Sequence, residues 1–206
     1  MPAPGSGAEL DKIFVAEEAL LLDAYKLGVE VYNSGFQPSF IVGLWRGGST
    51  VGIAVQECLT YLGVETDHIS IRTSYRGASD YARMLEDQSP SIRVHGTQYL
   101  LENLNASDRL LIVDDVYSTG RNVAAVIDRL CQRLKKNMPG DVRIAVPWYK
   151  PAQNRTGREP DFYLHETEQW LVLPYELNGL SLEEIRTHKS FMNEIFDETG
   201  QTRPLS

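Results

Sequence analysis

The chain has only two cysteines in 206 residues, Cys58 and Cys131, each isolated in an apolar stretch. Neither a disulfide framework nor a CxxC zinc pattern can be built from them, which suits a reducing compartment. The four histidines, His68, His95, His165 and His188, show no metal-ligand spacing. Long apolar runs are missing as well: no stretch reaches the about 18 residues that a membrane span needs. The opening MPAPGSGAEL lacks the basic patch and apolar run of a signal peptide. Positive charge is scarce, with 20 Lys and Arg against 28 Asp and Glu for a formal charge of −8. Duplex nucleic acid and anionic membranes are therefore disfavoured as main ligands. These absences predict a cytoplasmic protein, with no nucleic-acid or membrane partner.

What is present is an ordinary globular composition, 42% apolar and 23% charged, in a chain long enough to bury a core without covalent staples. Leu20, Ala24, Leu27 and Val31 recur at helical spacing from about Val15 to Asn33. Phe40–Trp45 is a short apolar run of the buried-strand kind, followed by a glycine pair and a helical stretch from Ser49 to Leu62. His68–Thr73 reads as a strand, and Ser74 to about Arg93 as a long polar loop. Arg109–Val113 is a second buried strand, and Arg121–Lys136 is a helix with Val123, Val126, Ile127, Leu130 and Leu134 on one face. Val142–Trp148, Phe162–Leu164 and Trp170–Leu173 read as extended. Ser181-Leu-Glu-Glu184 is a capping-box pattern opening a helix to about Phe196. Strands alternating with helices predict an α/β fold: a mainly parallel central sheet flanked by helices. In such sheets ligands bind beyond the carboxyl ends of strands, which directs attention to the loops after Trp45, Thr73, Val113 and Trp148. One compact unit is expected: a tail and packing helix (1–35), a core (36–150), and a segment with the C-terminal helix (151–206).

The strongest local signal is LLIVDDVYSTGRNV, residues 110–123. A buried strand delivers two adjacent carboxylates to the sheet edge. The turn Tyr117-Ser118-Thr119-Gly120-Arg121 then offers hydroxyls, consecutive amides and a helix N-terminus, a geometry that binds phosphate. Two acids beside a phosphate nest repel the phosphate unless they face sugar hydroxyls or a phosphate-bound Mg²⁺. A phosphorylated sugar meets both requirements. An acidic strand end followed by an ordinary helix start fits the same residues.

This stretch resembles the 5-phosphoribosyl-1-pyrophosphate (PRPP) motif of the type I phosphoribosyltransferases, and most closely the hypoxanthine and xanthine-guanine enzymes. The resemblance implies that Asp114 and Asp115 hold the ribose 2′- and 3′-hydroxyls and that Tyr117 to Arg121 wrap the 5′-phosphate. Leu44-Trp45-Arg46-Gly47-Gly48 looks like the pyrophosphate loop of those families, in which the peptide before the basic residue can be cis. Carried over, that peptide is Trp45–Arg46. Ser74-Tyr75 is similar to the pair that opens their flexible lid. Lys150-Pro151-Ala152 and Trp170-Leu171 look like their base-binding hood. There the lysine donates to the purine 6-oxo group, the aromatic ring stacks on the base, and the adjoining backbone, here at Leu171, reads its other edge. The chemistry is consistent, since a lysine has donors and no acceptor and so favours an oxo group over an amine. Glu176 falls near an acid that approaches the metal in relatives, alongside Asp115, with Mg²⁺ held mostly through PRPP.

By motif order the resemblance spans residues 38–178 and departs at one place: Ser118 stands where the hydroxypurine enzymes usually have an aspartate before Thr-Gly. A serine hydroxyl is no equivalent proton acceptor at neutral pH. The resemblance implies a homo-oligomeric purine-salvage transferase that moves the phosphoribosyl group of PRPP to a nucleobase, a 6-oxopurine first, and releases pyrophosphate. Arg46, Asp114, Asp115 and Ser118 are its candidate catalytic residues. A non-purine acceptor, or a silent PRPP- or nucleotide-sensing regulator, also accommodates Ser118.

Overall fold

The computed structural model describes residues 12–74 and 92–193. These divide into a larger unit, Leu21–Glu168, and a smaller one built from Met1–Leu20 and Gln169–Ser206. Among the described residues no helix is long and apolar enough to cross a membrane.

The larger unit is built on a sheet with the strands β2 (Phe40–Trp45), β3 (Asp67–Ser74), β4 (Arg93–His95), β5 (Arg109–Val113), β6 (Val116–Tyr117), β7 (Asp141–Tyr149) and β8 (Phe162–Glu166). Their order is β4-β3-β2-β5-β7-β6, with β8 also on β7. Every pairing is parallel except β3 with β4. Ala145 pairs with both Val113 and Phe162, and Trp148 with both Val116 and His165. Thus β5 and β6 occupy one edge of β7 in succession while β8 takes the other. Asp114 and Asp115 are the break between β5 and β6.

β5 is buried from Leu110 to Val113, as expected of a central parallel strand covered on both faces. The helices that run between the strands are α2 (Gly47–Tyr61), α3 (Gln98–Asn103) and α4 (Arg121–Leu134). α4 buries Val123, Val126, Leu130 and Leu134, while Ile127 packs partly buried against the same core as Val42, Leu44, Ile112, Ile144 and Val146. The periodicity carried this helix to Lys136, but it stops at Leu134, where Lys135 takes a φ of 52° and the chain tightens into a 3-10 turn. The polar stretch from Ser74 to Arg93 is shorter at both ends than its composition indicated. Ser74 still belongs to β3, and Arg93 already pairs with it in β4.

α1 (Glu17–Asn33) contributes residues to both units. In the smaller unit β1 (Lys12–Phe14) pairs in parallel with β9 (Trp170–Val172), so the N-terminal segment is more than a packing helix. The capping box is present in full. Ser181 Oγ accepts from the Glu184 amide, and the Glu184 carboxylate accepts from the Ser181 amide, opening α5 (Leu182–His188). α5 is shorter than its pattern. Lys189 leaves helical geometry, and its ammonium donates to the Leu173 and Pro174 carbonyls at 2.9 and 2.8 Å. Phe196 lies outside the described residues.

Glu184 also accepts from Lys12 Nζ. That contact, ahead of the capping amide, holds its carboxyl down at about 2. A depressed carboxylate contributes stability above its unfolded value of about 4.3 and loses it as the pH falls towards the folded one. Lys12→Met is therefore expected to lower Tm at pH 5, with the deficit closing by pH 2. A deficit independent of pH in thermal melts would refute the assignment.

Candidate active site

The carboxyl ends of β2 and β5 lie side by side, because Gly43 pairs with Val113, while the carboxyl end of β7 runs on past β5 to pair with β6 through Trp148 and Tyr149. At the end of β2 the Trp45–Arg46 peptide is cis, as the resemblance allows. Trp45 is 57% exposed, and Arg46, also exposed, stands at the N-cap position of α2 without a side-chain capping bond. Gly47 and Gly48 form its first, buried turn. Two close approaches set this geometry. A β-carbon on Gly43 would stand 2.9 Å from the Gly48 carbonyl oxygen. One on Gly48 would stand 2.5 Å from the Val113 oxygen and 2.8 Å from Asp114 Cα. Glycine is needed at position 48 because the start of α2 is pressed onto the end of β5. The two glycine-bearing motifs are therefore one place in the fold.

Asp114 and Asp115 sit in that place, both partly buried. The Asp114 carboxylate accepts from the Asp115 amide at 3.0 Å, and the Asp115 carboxylate accepts from the Val116 amide at 2.8 Å. Burial first, and then the neighbouring Asp115 charge, push the Asp114 carboxyl well above the usual carboxylate range. An acid pair strained in this way is satisfied by sugar hydroxyls donating to it or by a nearby cation. Among the described residues no group of three or more His, Cys, Asp or Glu side chains could hold a metal ion. Glu176, in the smaller unit, has its carboxylate on the Leu173 amide at 3.1 Å.

After β6 the chain turns through Ser118 and Thr119 to Gly120, whose φ of 73° is left-handed, and α4 begins at Arg121. No side chain caps this helix. Its first amides follow directly on the Ser-Thr-Gly turn, the arrangement that receives an anion. Tyr117 opens the turn. Its ring is buried at 2% exposure and its hydroxyl donates to the Arg158 carbonyl at 2.8 Å, so the side chain supports the turn from beneath.

Lys150 follows β7. Its amide donates to the Tyr117 carbonyl at 2.9 Å, which places the lysine beside the phosphate-type turn. The side chain is 8% exposed. Burial pushes its ammonium down, and the Glu168 charge opposes this. Ser74 Oγ is 2.9 Å from His95 Nε2, whereas Tyr75 lies outside the described residues. In the smaller unit Trp170 is 51% exposed and Leu171 is buried. The sequence reading missed the supporting segment Asn154–Arg158. Its Asn-x-Thr pattern carries no chemical signature apart from the turn it contacts.

The Phosphoribosyl transferase domain family matches residues 13–178. The adenine phosphoribosyltransferase of Francisella tularensis subsp. holarctica is 27% identical over 130 residues, 62% of this chain and 69% of that protein. Among solved structures, the purine phosphoribosyltransferase of Pyrococcus horikoshii Ot3 superposes with a TM-score of 0.61 at 24% identity, covering 83% of this chain and 97% of that one. A Neisseria gonorrhoeae hypothetical protein with bound ppGpp superposes at 0.67 with 15% identity, covering 95% and 100%. With a family match over most of its length, and the acid pair, glycine turn and helix start assembled at one sheet edge, the chain belongs to the phosphoribosyltransferases, transferases that use PRPP.

Proposed function

We propose that this protein is a cytoplasmic, homo-oligomeric purine-salvage enzyme that transfers the phosphoribosyl group of PRPP to a 6-oxopurine and releases pyrophosphate. The observation that carries this reading is the contact of Gly48 with Asp114, which joins a pyrophosphate-type turn to a ribose-type acid pair. Asp114 and Asp115 accept from the ribose hydroxyls. Amides of Tyr117 to Arg121, with the Thr119 hydroxyl, hold the 5′-phosphate. Gly47, Gly48 and Arg46, beside Trp45, stabilise the departing pyrophosphate as charge develops on it. Asp114 and Asp115 would lie close to a Mg²⁺ bound through PRPP, which would supply further neutralisation of that pyrophosphate. Positioning of the two reactants accounts for most of the remaining rate, and a lid opened by Ser74-Tyr75 keeps water from the ribosyl carbon.

Lys150 supports the 6-oxo preference, because a buried ammonium donates to an oxo oxygen and has nothing to offer an exocyclic amine as acceptor. By the resemblance alone, Trp170 and Leu171, in the hood segment 151–206, are further proposed base contacts. Glu176 is a weaker proposed metal approach. Lys150→Met is expected to cut kcat/KM for hypoxanthine or guanine about 10²-fold, because a polar group recognised in a desolvated site is left unpaired. Turnover with adenine, if any, should fall less. Equal losses with both bases would remove Lys150 from base recognition.

The deciding experiment is pyrophosphate release from PRPP and Mg²⁺ with hypoxanthine, guanine, xanthine, adenine, orotate and uracil in turn. Turnover with an oxopurine supports the reading, and shows Ser118 compatible with catalysis. Turnover with adenine alone would move the substrate to the class named for the Francisella relative. Ser118 favours a second reading, a nucleotide-sensing regulator. PRPP binding with no turnover on any base, together with ppGpp binding, would support that reading.

A further inference from the structure

The turn that receives the phosphate rests on a segment outside every matched motif. Arg155 donates its amide to the Thr119 carbonyl at 3.1 Å, and Lys150 donates its amide to the Tyr117 carbonyl at 2.9 Å. The chain around those anchors is tied to itself. Asn154 Nδ2 donates to the Arg158 carbonyl at 2.9 Å and to Tyr149 Oη at 3.1 Å. Asn154 Oδ1 accepts from the Thr156 amide and from Thr156 Oγ1, each at 3.0 Å. Thr156 Oγ1 lies 3.2 Å from Tyr117 Oη, whose ring meets Tyr149 edge-on with centroids 5.8 Å apart. Gly120 sits directly on this assembly. A β-carbon there would overlap the Tyr117 hydroxyl and stand 2.7 Å from Thr156 Oγ1.

We propose that Thr156 is a positioning residue for phosphate binding. Its hydroxyl, which donates to Asn154 and packs against the Tyr117 hydroxyl, is the floor that holds Thr119–Gly120–Arg121 in its anion-receiving shape. The inference rests on the phosphoribosyl reading above. Thr156 itself is not a substrate contact. It acts by removing conformational freedom from amides that must converge on one phosphate, and preorganisation of this kind raises affinity by reducing the ordering cost of binding. The segment begins at Lys150, so the phosphate turn and the base-side lysine share one wall. The loss on removing the hydroxyl should nevertheless fall on the phosphate side, because Thr156 abuts Gly120.

The test compares Thr156→Val, which keeps the shape and loses the hydroxyl, with Thr156→Ser, which keeps the hydroxyl. Binding of ribose 5-phosphate is measured by calorimetry, with PRPP kinetics alongside. Thr156→Val is expected to bind ribose 5-phosphate about tenfold more weakly, the size of one lost hydrogen bond. KM for PRPP should rise similarly with kcat little changed. Thr156→Ser should restore wild-type binding. Tyr117→Phe, which keeps the ring and loses the donor to Arg158, should show the same selective loss, and it replaces the valine variant if that protein fails to fold. A folded Thr156→Val protein that binds ribose 5-phosphate within about twofold of wild type overturns the inference and leaves the phosphoribosyl reading standing. Wild-type protein that binds neither ribose 5-phosphate nor PRPP overturns both.

Discussion

Alanine at Gly48 is expected to reduce PRPP turnover at least about 10²-fold and to destabilise the fold by about 1–3 kcal/mol. The added carbon has nowhere to go. Its neighbours at 2.5 and 2.8 Å are the Val113 carbonyl oxygen and Asp114 Cα, backbone atoms of a buried strand end that cannot rotate aside. Either α2 backs away from β5 or the Asp114 backbone shifts. The stability figure is that of overpacking a tight interior, and the rate figure is that of misplacing reactive groups by about 1 Å. Gly140→Ala is the matched control. A β-carbon there meets nothing within 4 Å, and the residue is not in the left-handed region. That variant should retain its turnover and lose little stability. Thermal melts and pyrophosphate release on both proteins check the pair. Wild-type turnover in Gly48→Ala would mean that the glycine turn after β2 and the acid pair after β5 do not form one site.

Asp114→Asn is expected to separate stability from activity. Burial and the Asp115 charge raise the Asp114 carboxyl well above its ordinary range in the folded protein. For an acid displaced upward the folded state binds more protons than the unfolded one. Stability therefore falls as pH rises from the unfolded value of about 3.9 through the folded one. Asparagine removes the charge and keeps the shape, so the variant should be more stable than wild type at pH 7. At pH 3 the advantage should vanish, because wild-type Asp114 is then protonated in both states. Meanwhile kcat/KM for PRPP should fall by about 10²-fold or more, since an amide offers the ribose hydroxyls one acceptor oxygen in place of two charged ones. Denaturant melts at the two pH values, beside PRPP kinetics, read both effects. A variant less stable than wild type at pH 7 would show that Asp114 is held as a structural charge. Asp115→Asn should weaken PRPP use far more than base binding, and equal losses in both would count against the ribose assignment.

Several parts of this protein were legible from residue order alone. The apolar runs Phe40–Trp45 and Arg109–Val113 are strands because their residues must be covered on both faces. The face of α4 was readable because Val123, Val126, Leu130 and Leu134 repeat with the helical period. Ser181 and Glu184 announced a helix start that the structure contains hydrogen bond for hydrogen bond, since a capping box is complete within four residues. The phosphate-type turn was legible for the same reason: its acids, hydroxyls, glycine and helix start are contiguous. Each of these features is local, and its physical cause lies within one turn or one strand.

What only the tertiary structure decided is non-local. β1, β4 and β6 are strands because partners far along the chain accept them, and two or three residues carry no period of their own. α5 ends at His188 although the pattern continues, because Lys189 is drawn to carbonyls at Leu173 and Pro174. Tyr117 stood in the sequence as one more residue of the phosphate turn, and packing turned its ring inward to Arg158 and Thr156. The 154–158 segment had no signature at all, because hydrogen bonds to Tyr117 and Thr119 define its role and chain order does not reveal them. The sequence by itself determined which chemical groups the site contains and which elements carry them. The fold decided that Gly48 touches Asp114, that Lys150 lies beside the phosphate turn, and which side chains hold that turn in place, because close packing between distant segments sets those distances.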